Sequence, residues 1–193
     1  MRVYFILLLL PFFSCGQTHS RFNLQKSFLI NLKESICIKE NNCFYFSNDS
    51  SISYLEMYYV AENKSKMLID SVEFSPYKSR IHSFKSQKEN VYVVLWETEY
   101  EYFPVIIAYY VAEGKLVRMG ELKISLPCQY CESFEYPIKD IQMLQEKDKI
   151  EISFLKNVNY KKIDTLQWKE YKPGTLKFYF NILSKEFKAN TDL

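Results

Sequence analysis

Three glutamates at alternate positions, Glu97, Glu99 and Glu101, are the residues whose types and spacing most directly suggest chemistry. Alternate residues of a strand share one face, so the three carboxylates would lie side by side. Carboxylates roughly 5 to 9.5 Å apart can act as acid and base in glycoside hydrolysis, and strand neighbours two residues apart fall near that range. Such a row also guards a solvated strand end or a sheet edge, and this interpretation is favoured. A calcium site is an alternative, although no loop of the D-x-D-x-D-G type is present.

His82 is the only histidine in the predicted folded body, because His19 lies near the N-terminus. A Ser/His/Asp or Cys/His arrangement would therefore have to use it. It falls in a weak predicted strand, and the sequence has no nucleophile elbow of the G-x-S-x-G type. We therefore expect a half-exposed strand histidine without a role. No catalytic residue, metal site or cofactor is predicted.

The first residues have the pattern of an export signal. Arg2 supplies a positive charge, residues 3–13 form an apolar run broken only by Pro11, and Ser14 and Cys15 follow. A membrane-spanning helix needs about 20 apolar residues, so this run is too short to be one. It has the length of a signal-peptide core.

Residues 1–17 resemble a bacterial lipoprotein precursor with a relaxed lipobox of the Bacteroidota type. The resemblance implies cleavage before Cys15 and attachment of diacylglycerol to its sulfur. Each buried methylene contributes about 0.8 kcal/mol, so two or three acyl chains hold a domain at a membrane almost permanently. The residues after Cys15 lack both the aspartate of some inner-membrane lipoproteins and the acidic run associated with surface export. The resemblance therefore implies a lipid anchor in the outer membrane, facing the periplasm. An ordinary secretory signal with an incidental cysteine is the alternative.

The four other cysteines occur as two close pairs, in CIKENNC and in CQYC. An even number of cysteines in an oxidising envelope indicates two disulfides. A long link would add about 4.5 kcal/mol in the chain-entropy model, whereas proximity favours local pairing, which we expect. Thiol–disulfide exchange at CQYC and a zinc site built from all four thiolates are the alternatives. The disulfide candidates are Cys37, Cys43, Cys128 and Cys131.

The two tryptophans differ in their surroundings. Trp96 falls in the most apolar predicted strand, where core packing is expected. Trp168 lies next to a turn, near Lys169 and Lys172, and is the better candidate for an exposed ring that contacts a glycan or a partner. Core packing is nevertheless the default for Trp168 as well.

The elements that would position these residues are strands, one after another from Phe44 onward. Residues 91–124 are rich in β-branched and aromatic types, which suit a pleated surface, and residues 91–98 are apolar on both faces, as in a covered central strand. Glu113-Gly114 is a hairpin signal, and Pro173-Gly174 is a type II turn dipeptide. The predicted strands cover residues 52–60, 67–74, 80–84, 91–98, 105–112, 115–124, 139–145, 149–155, 160–168 and 175–183.

This pattern predicts an all-β fold, an antiparallel meander of about ten strands that forms a sandwich or a barrel. Leu24, Phe28 and Leu32 recur at helical spacing, although Phe28, Ile30 and Leu32 also alternate like a strand. We predict a short helix at residues 25–35. The predicted organisation is a signal peptide at residues 1–14, a lipid-anchored tether at 15–24 and one all-β domain at 25–193.

Composition limits the partners. The 193 residues include 25 basic and 23 acidic side chains, and no basic stripe is present, which argues against nucleic acid. We expect a lipid-anchored envelope protein that acts as a binding or accessory module for a protein or glycan partner. An envelope-localised enzyme, either a hydrolase or a thiol–disulfide exchanger, is one alternative. A small-molecule carrier of barrel type is the other.

Overall fold

The computed structural model describes residues 19–30, 32, 34–40, 42–49, 54–61, 65–73, 79–100, 103–127, 136–161 and 167–191. Most of these residues form strands, and the helical residues among them are confined to one 3-10 turn at Ile138–Asp140. The all-β prediction is confirmed. Within the described ranges, no helix is long and apolar enough to cross a membrane.

Sixteen strands are present in these ranges. They are β1 (Ser20–Leu29), β2 (Ile36–Lys39), β3 (Asn42–Asp49), β4 (Tyr54–Val60), β5 (Met67–Glu73), β6 (Arg80–Ser86), β7 (Val91–Tyr100), β8 (Phe103–Ala112), β9 (Lys115–Leu122), β10 (Ile124–Ser125), β11 (Ile141–Glu146), β12 (Lys149–Phe154), β13 (Val158–Lys161), β14 (Trp168–Tyr171), β15 (Lys177–Asn181) and β16 (Phe187–Ala189).

Nine of the strands form one antiparallel sheet in the order β16-β15-β12-β11-β1-β6-β7-β8-β9. The turn between β8 and β9 is the predicted hairpin, because Glu113 and Gly114 both have positive φ, at 51° and 69°. Two central residues with positive φ match the right-handed twist of the strands that they connect. The hairpin prediction is therefore confirmed.

The two edges of this sheet approach each other. A Cβ added at Gly120 of β9 would overlap the ring of Phe187 in β16. That ring stacks on Phe178 of β15, with the ring centroids 5.6 Å apart. The sheet therefore curls until its first and last strands meet through side chains, and it is nearly closed.

Gly120→Ala tests this closure. The added methyl group has to displace the Phe187 ring, so we expect the free energy of unfolding to fall by about 1 to 3 kcal/mol, as in other overpacked cores. Urea denaturation of Gly120→Ala, Phe187→Ala and the double variant measures it. In the Phe187→Ala background, Gly120→Ala should hardly change the free energy of unfolding, because the ring of Phe187 is absent. An equal cost in both backgrounds would mean that the two edges do not meet.

The inner face of the curled sheet is filled by apolar side chains of β6–β9 and of the opposite strands. Tyr110 of β8 packs against Phe180 of β15, with ring centroids 6.2 Å apart. Phe154 of β12 packs edge-on against Phe178 at 6.1 Å. The described interior is thus a packed core.

The outer face of β6–β9 is covered by a second sheet in the order β2-β3-β4-β5. Trp96 of β7 is completely buried between the two layers, where Phe46 of β3 meets it edge-on at 5.7 Å. Both faces of β7 are therefore covered, as its two apolar faces predicted. A third, small sheet in the order β10-β13-β14 joins the inner core through Tyr160, whose ring lies 5.5 Å from that of Phe178.

The predicted helix at residues 25–35 is wrong, because β1 extends to Leu29 and pairs with β6 over its whole second half. The alternation of Phe28 and Ile30 correctly indicates a strand, since both side chains pack on the core beneath the second sheet. β1 also includes residues 20–24, which the sequence assigned to the tether.

Candidate functional site

A bulge in β1 determines which side chains face the candidate site. The ladder between β1 and β6 pairs Leu24 with Phe84 and then Lys26 with Ser83, so Gln25 is an extra residue. An extra residue reverses the alternation of the following side chains. Ser27 therefore lies on the inner face, directly opposite His82.

Ser27, His82 and Glu97 form a continuous polar cluster. The Oγ of Ser27 lies 2.7 Å from the Nδ1 of His82, and the Nε2 of His82 lies 3.2 Å from the Oε1 of Glu97. His82 is only 3% exposed and Glu97 only 5%, whereas Ser27 is exposed. The three groups thus run from the surface into the protein.

The contact between His82 and Glu97 is close but not well aligned. Although the two atoms are 3.2 Å apart, a hydrogen on Nε2 would not point at a carboxylate oxygen, and this nitrogen has no hydrogen bond within the described residues. The contact is therefore electrostatic, because alignment decides whether a short distance is a hydrogen bond. A carboxylate at this position favours the tautomer with its hydrogen on Nε2, which leaves Nδ1 free to accept the Ser27 hydroxyl.

The cluster opens into a cleft of about 810 Å³ beside β1. Its apolar wall includes Leu24, Leu29 and Leu126. Charged side chains form much of the remaining wall, and one ion pair among them joins Lys156 to Asp140 at 3.2 Å. The other cations that line the cleft are Arg80 and Lys139.

Among the described residues, one edge of β1 has no partner strand along this cleft. β1 pairs with β11 only over residues 20–22, and no other described strand pairs with that edge beyond them. Ile30 donates its N–H to the carbonyl of Ser79, which precedes β6. Since successive residues direct their backbone groups to opposite edges, Ser27 and Leu29 direct N–H and C=O away from β6. They therefore point at the open edge.

The structure corrects the predictions for His82 and Glu97. Glu97 is not part of a solvated strand end, since it faces the inner core, where Ile106 of β8 is its cross-strand neighbour. His82 is buried and partnered, not half-exposed. Glu99 is in β7, but its side chain is not among those described, and Glu101 lies outside the described residues. The cluster therefore joins Glu97 to a histidine and a serine.

Sequence reasoning missed Ser27, because it lies 55 residues from His82 and the pairing of β1 with β6 was not expected. A weak signal was present. Phe28 and Ile30 share an apolar face, so Ser27 and Leu29 had to occupy the opposite one.

Trp168 is 36% exposed and lies in β14, at an edge of the third sheet. The default of core packing is therefore wrong for this residue. Its role as a contact for a ligand or a partner stays a prediction.

Cys37 and Cys43 form a disulfide between paired positions of β2 and β3. A zinc site that uses all four thiolates is incompatible with this bond, because a disulfide sulfur is not a thiolate ligand. Cys128 and Cys131 lie outside the described residues, as does Cys15. No cluster of three metal-ligating side chains occurs in the parts of the chain that the structure describes.

A second polar cluster connects the covering sheet to the nine-stranded sheet. Tyr109 of β8 donates its hydroxyl hydrogen to Asp70 of β5 at 2.9 Å, and Arg118 of β9 binds the same carboxylate at 2.8 Å. Burial raises the pKa of Tyr109 well above its usual value, and the charge of Asp70 raises it further. Burial lowers the pKa of Arg118, but its hydrogen bonds to Glu121 and Asp70 outweigh this, so the net pKa is raised. The raised pKa values keep Tyr109 neutral and Arg118 charged, and their contacts with Asp70 hold the two layers together.

Comparison of the chain with protein-family models, with curated proteins and with solved structures gave no match. Its proposed function therefore rests on the sequence and on the geometry of the site.

Proposed function

We propose that this chain is a binding module of the cell envelope, anchored in the outer membrane through a lipid on Cys15 and facing the periplasm. In this proposal the cleft beside β1 binds an extended segment of another envelope protein. The open edge of β1 is the observation that supports it most strongly.

An open strand edge favours a polypeptide over a glycan. Ser27 and Leu29 direct backbone donors and acceptors toward the cleft at the two-residue repeat of an antiparallel ladder. An extended peptide satisfies such groups by adding a strand to the sheet. Proteins rarely leave an edge of this kind without cover, because it pairs readily with other chains.

The side chains of the cleft indicate the chemistry of the bound segment. Leu29 is 66% exposed and Leu24 is also exposed, so they offer apolar contacts to alternate residues of an added strand. Arg80 and Lys139 add positive charge, whereas Glu97 is buried against His82 and Asp140 is paired with Lys156. The complementary segment therefore carries apolar residues together with an acidic side chain.

The anchor would hold the cleft close to the membrane. Four residues separate Cys15 from Ser20, the first residue of β1, so the Cα of Cys15 lies at most about 18 Å of extended chain from that strand. A partner in or at the same membrane is therefore within reach.

Cys15→Ala tests the anchor. The variant should take up no radiolabelled fatty acid and should leave the membrane fraction, because its sulfur acceptor is missing. Cys37→Ala is the matched control, since it also lacks one sulfur but retains Cys15. Unchanged labelling of Cys15→Ala would remove the anchor from the proposal.

Leu29→Pro tests the edge. Proline removes the N–H that points into the cleft without removing a donor to β6. One hydrogen bond is worth about 0.5 to 1.5 kcal/mol, and the ring also blocks the approach of a neighbouring strand. A crosslinking pull-down of the lipidated chain from its own envelope should therefore recover at least about tenfold less partner with Leu29→Pro. Leu29→Val, which keeps the N–H and an apolar side chain, should retain it. Equal recovery with both variants would contradict strand addition, and no specific partner for the wild type would contradict the binding role itself.

A further inference from the structure

We propose that Ser27 is a nucleophile activated by His82, so that the cleft also carries out acyl transfer from carboxylic esters. This inference goes beyond the binding role, because it depends on three side chains of the inner face and not on the strand edge.

The depth of the three groups suits this chemistry. Ser27 is exposed to the cleft, while His82 and Glu97 lie behind it and are almost completely buried. A substrate in the cleft can therefore reach the hydroxyl of Ser27, beside the imidazole of His82. An adjacent general base is the usual way in which a serine becomes nucleophilic.

The backbone ladder holds serine and histidine together. Residues 30 and 79 form a hydrogen-bonded pair, so counting along the ladder makes Ser27 and His82 a pair without mutual hydrogen bonds. In antiparallel sheets the Cα atoms of such pairs are only about 4.5 Å apart, which brings the side chains closest. The 2.7 Å separation of Oγ and Nδ1 is thus set by the sheet.

Glu97 is a positioning residue in this scheme. Its carboxylate lies 3.2 Å from Nε2 of His82, so it favours hydrogen on that nitrogen and stabilises the imidazolium that forms when Nδ1 takes a proton. The ring is reversed relative to the common Ser-His-Asp triad, in which Nε2 faces the serine. The order of the groups is nevertheless the same: nucleophile, base and carboxylate.

A positively charged side chain lies close to Ser27 in the strand ladder. Arg80 lines the same cleft and is the cross-strand neighbour of Leu29, two residues along β1 from Ser27. A positively charged donor stabilises the negative charge that develops on a carbonyl oxygen during acyl transfer.

The reaction balances with water as the only co-reactant. Ser27 Oγ bonds to the ester carbonyl carbon while its proton passes to Nδ1 of His82. The bond from carbon to the alkoxy oxygen then breaks, and the departing alcohol takes that proton. Water, deprotonated by the same nitrogen, cleaves the acyl-serine to a carboxylic acid and restores Ser27. The acyl group would lie against the apolar side chains of Leu24 and Leu29.

A fluorophosphonate probe tests the inference on the full-length lipidated chain in detergent. Ser27 Oγ should displace fluoride and retain the phosphonyl group, which mass spectrometry would find on the tryptic peptide of residues 27–33. Ser27→Ala should lose the label completely. Ser71→Ala, at an exposed serine of β5, should label at the wild-type rate.

His82→Ala tests whether the histidine acts as a base. General-base catalysis contributes about 10² to 10⁴-fold, so labelling should slow by at least about 100-fold and should recover in part when imidazole is added. A purely structural histidine would show no recovery. Glu97→Gln should slow labelling less than His82→Ala, and Glu97→Asp should restore part of the rate. The His82 and Glu97 variants are compared at a temperature where near-ultraviolet circular dichroism shows a native fold.

Two results would overturn the inference. One is a folded wild-type protein that takes no label on Ser27, and the other is a folded His82→Ala variant that labels at the wild-type rate. The binding role is judged separately, by recovery of a partner in the pull-down of the wild-type protein, which does not depend on labelling of Ser27.

Discussion

Truncation of Trp96 to alanine is expected to lower the free energy of unfolding by about 3 to 5 kcal/mol. Trp96 is completely buried between the nine-stranded sheet and the sheet that covers it, and Phe46 meets its ring. Removing the ring leaves a large cavity at a site where two layers of strands limit collapse. A loss of this size is a large fraction of the stability of an ordinary domain.

Two further variants make this prediction specific. The Nε1 of Trp96 has no hydrogen-bond partner among the described residues, so Trp96→Phe loses volume but no hydrogen bond and should cost less than about 1.5 kcal/mol. Trp168→Ala, at a ring that is 36% exposed, should cost less than about 1 kcal/mol. Urea denaturation followed by far-ultraviolet circular dichroism measures all three. A similar loss for Trp96→Ala and Trp168→Ala would contradict the layered arrangement.

Substitution of either His82 or Glu97 is expected to have the second-largest effect on the free energy of unfolding. Removing one partner of a buried polar pair leaves the other without compensation for its lost hydration, which costs about 3 to 5 kcal/mol. His82→Leu and Glu97→Leu should therefore each destabilise the protein strongly. His82→Leu/Glu97→Leu should cost much less than the sum of the single changes, because no buried polar group is left alone.

A double-mutant cycle in urea measures this coupling. Residues in contact show interaction free energies of about 0.5 to 3 kcal/mol, and we expect a value in the upper half of that range. Additive effects of the two substitutions would contradict a buried pair. The cycle does not depend on whether the site is catalytic.

Much of the fold could be predicted from local patterns. The alternation in residues 149–155, the two apolar faces of residues 91–98 and the Glu113-Gly114 turn indicate strands from short-range information alone. The burial of Glu97 could also be predicted, since Glu97 lies on the same face of the strand as Val91, Val93 and Leu95.

The candidate site could not be predicted, because it depends on pairings between distant segments. The extra residue at Gln25 changes the face that Ser27 occupies, and a bulge depends on the partner strand as much as on the sequence. Leu24 and Phe28 have the spacing of a helix because the bulge lies between them. It changes the alternation of the strand, so that the apolar residues before and after it do not follow one period of two. The meeting of Gly120 with Phe187 likewise requires the curvature of the whole sheet.

Site-specific photocrosslinking tests most directly whether the cleft beside β1 is where this protein acts. A photoreactive amino acid in place of Leu29 should give one dominant crosslinked product in intact cells. The same amino acid in place of Leu183, an exposed leucine after β15, should give none. Equal products from both positions, or a product from Leu183 alone, would contradict a binding site at the open edge of β1.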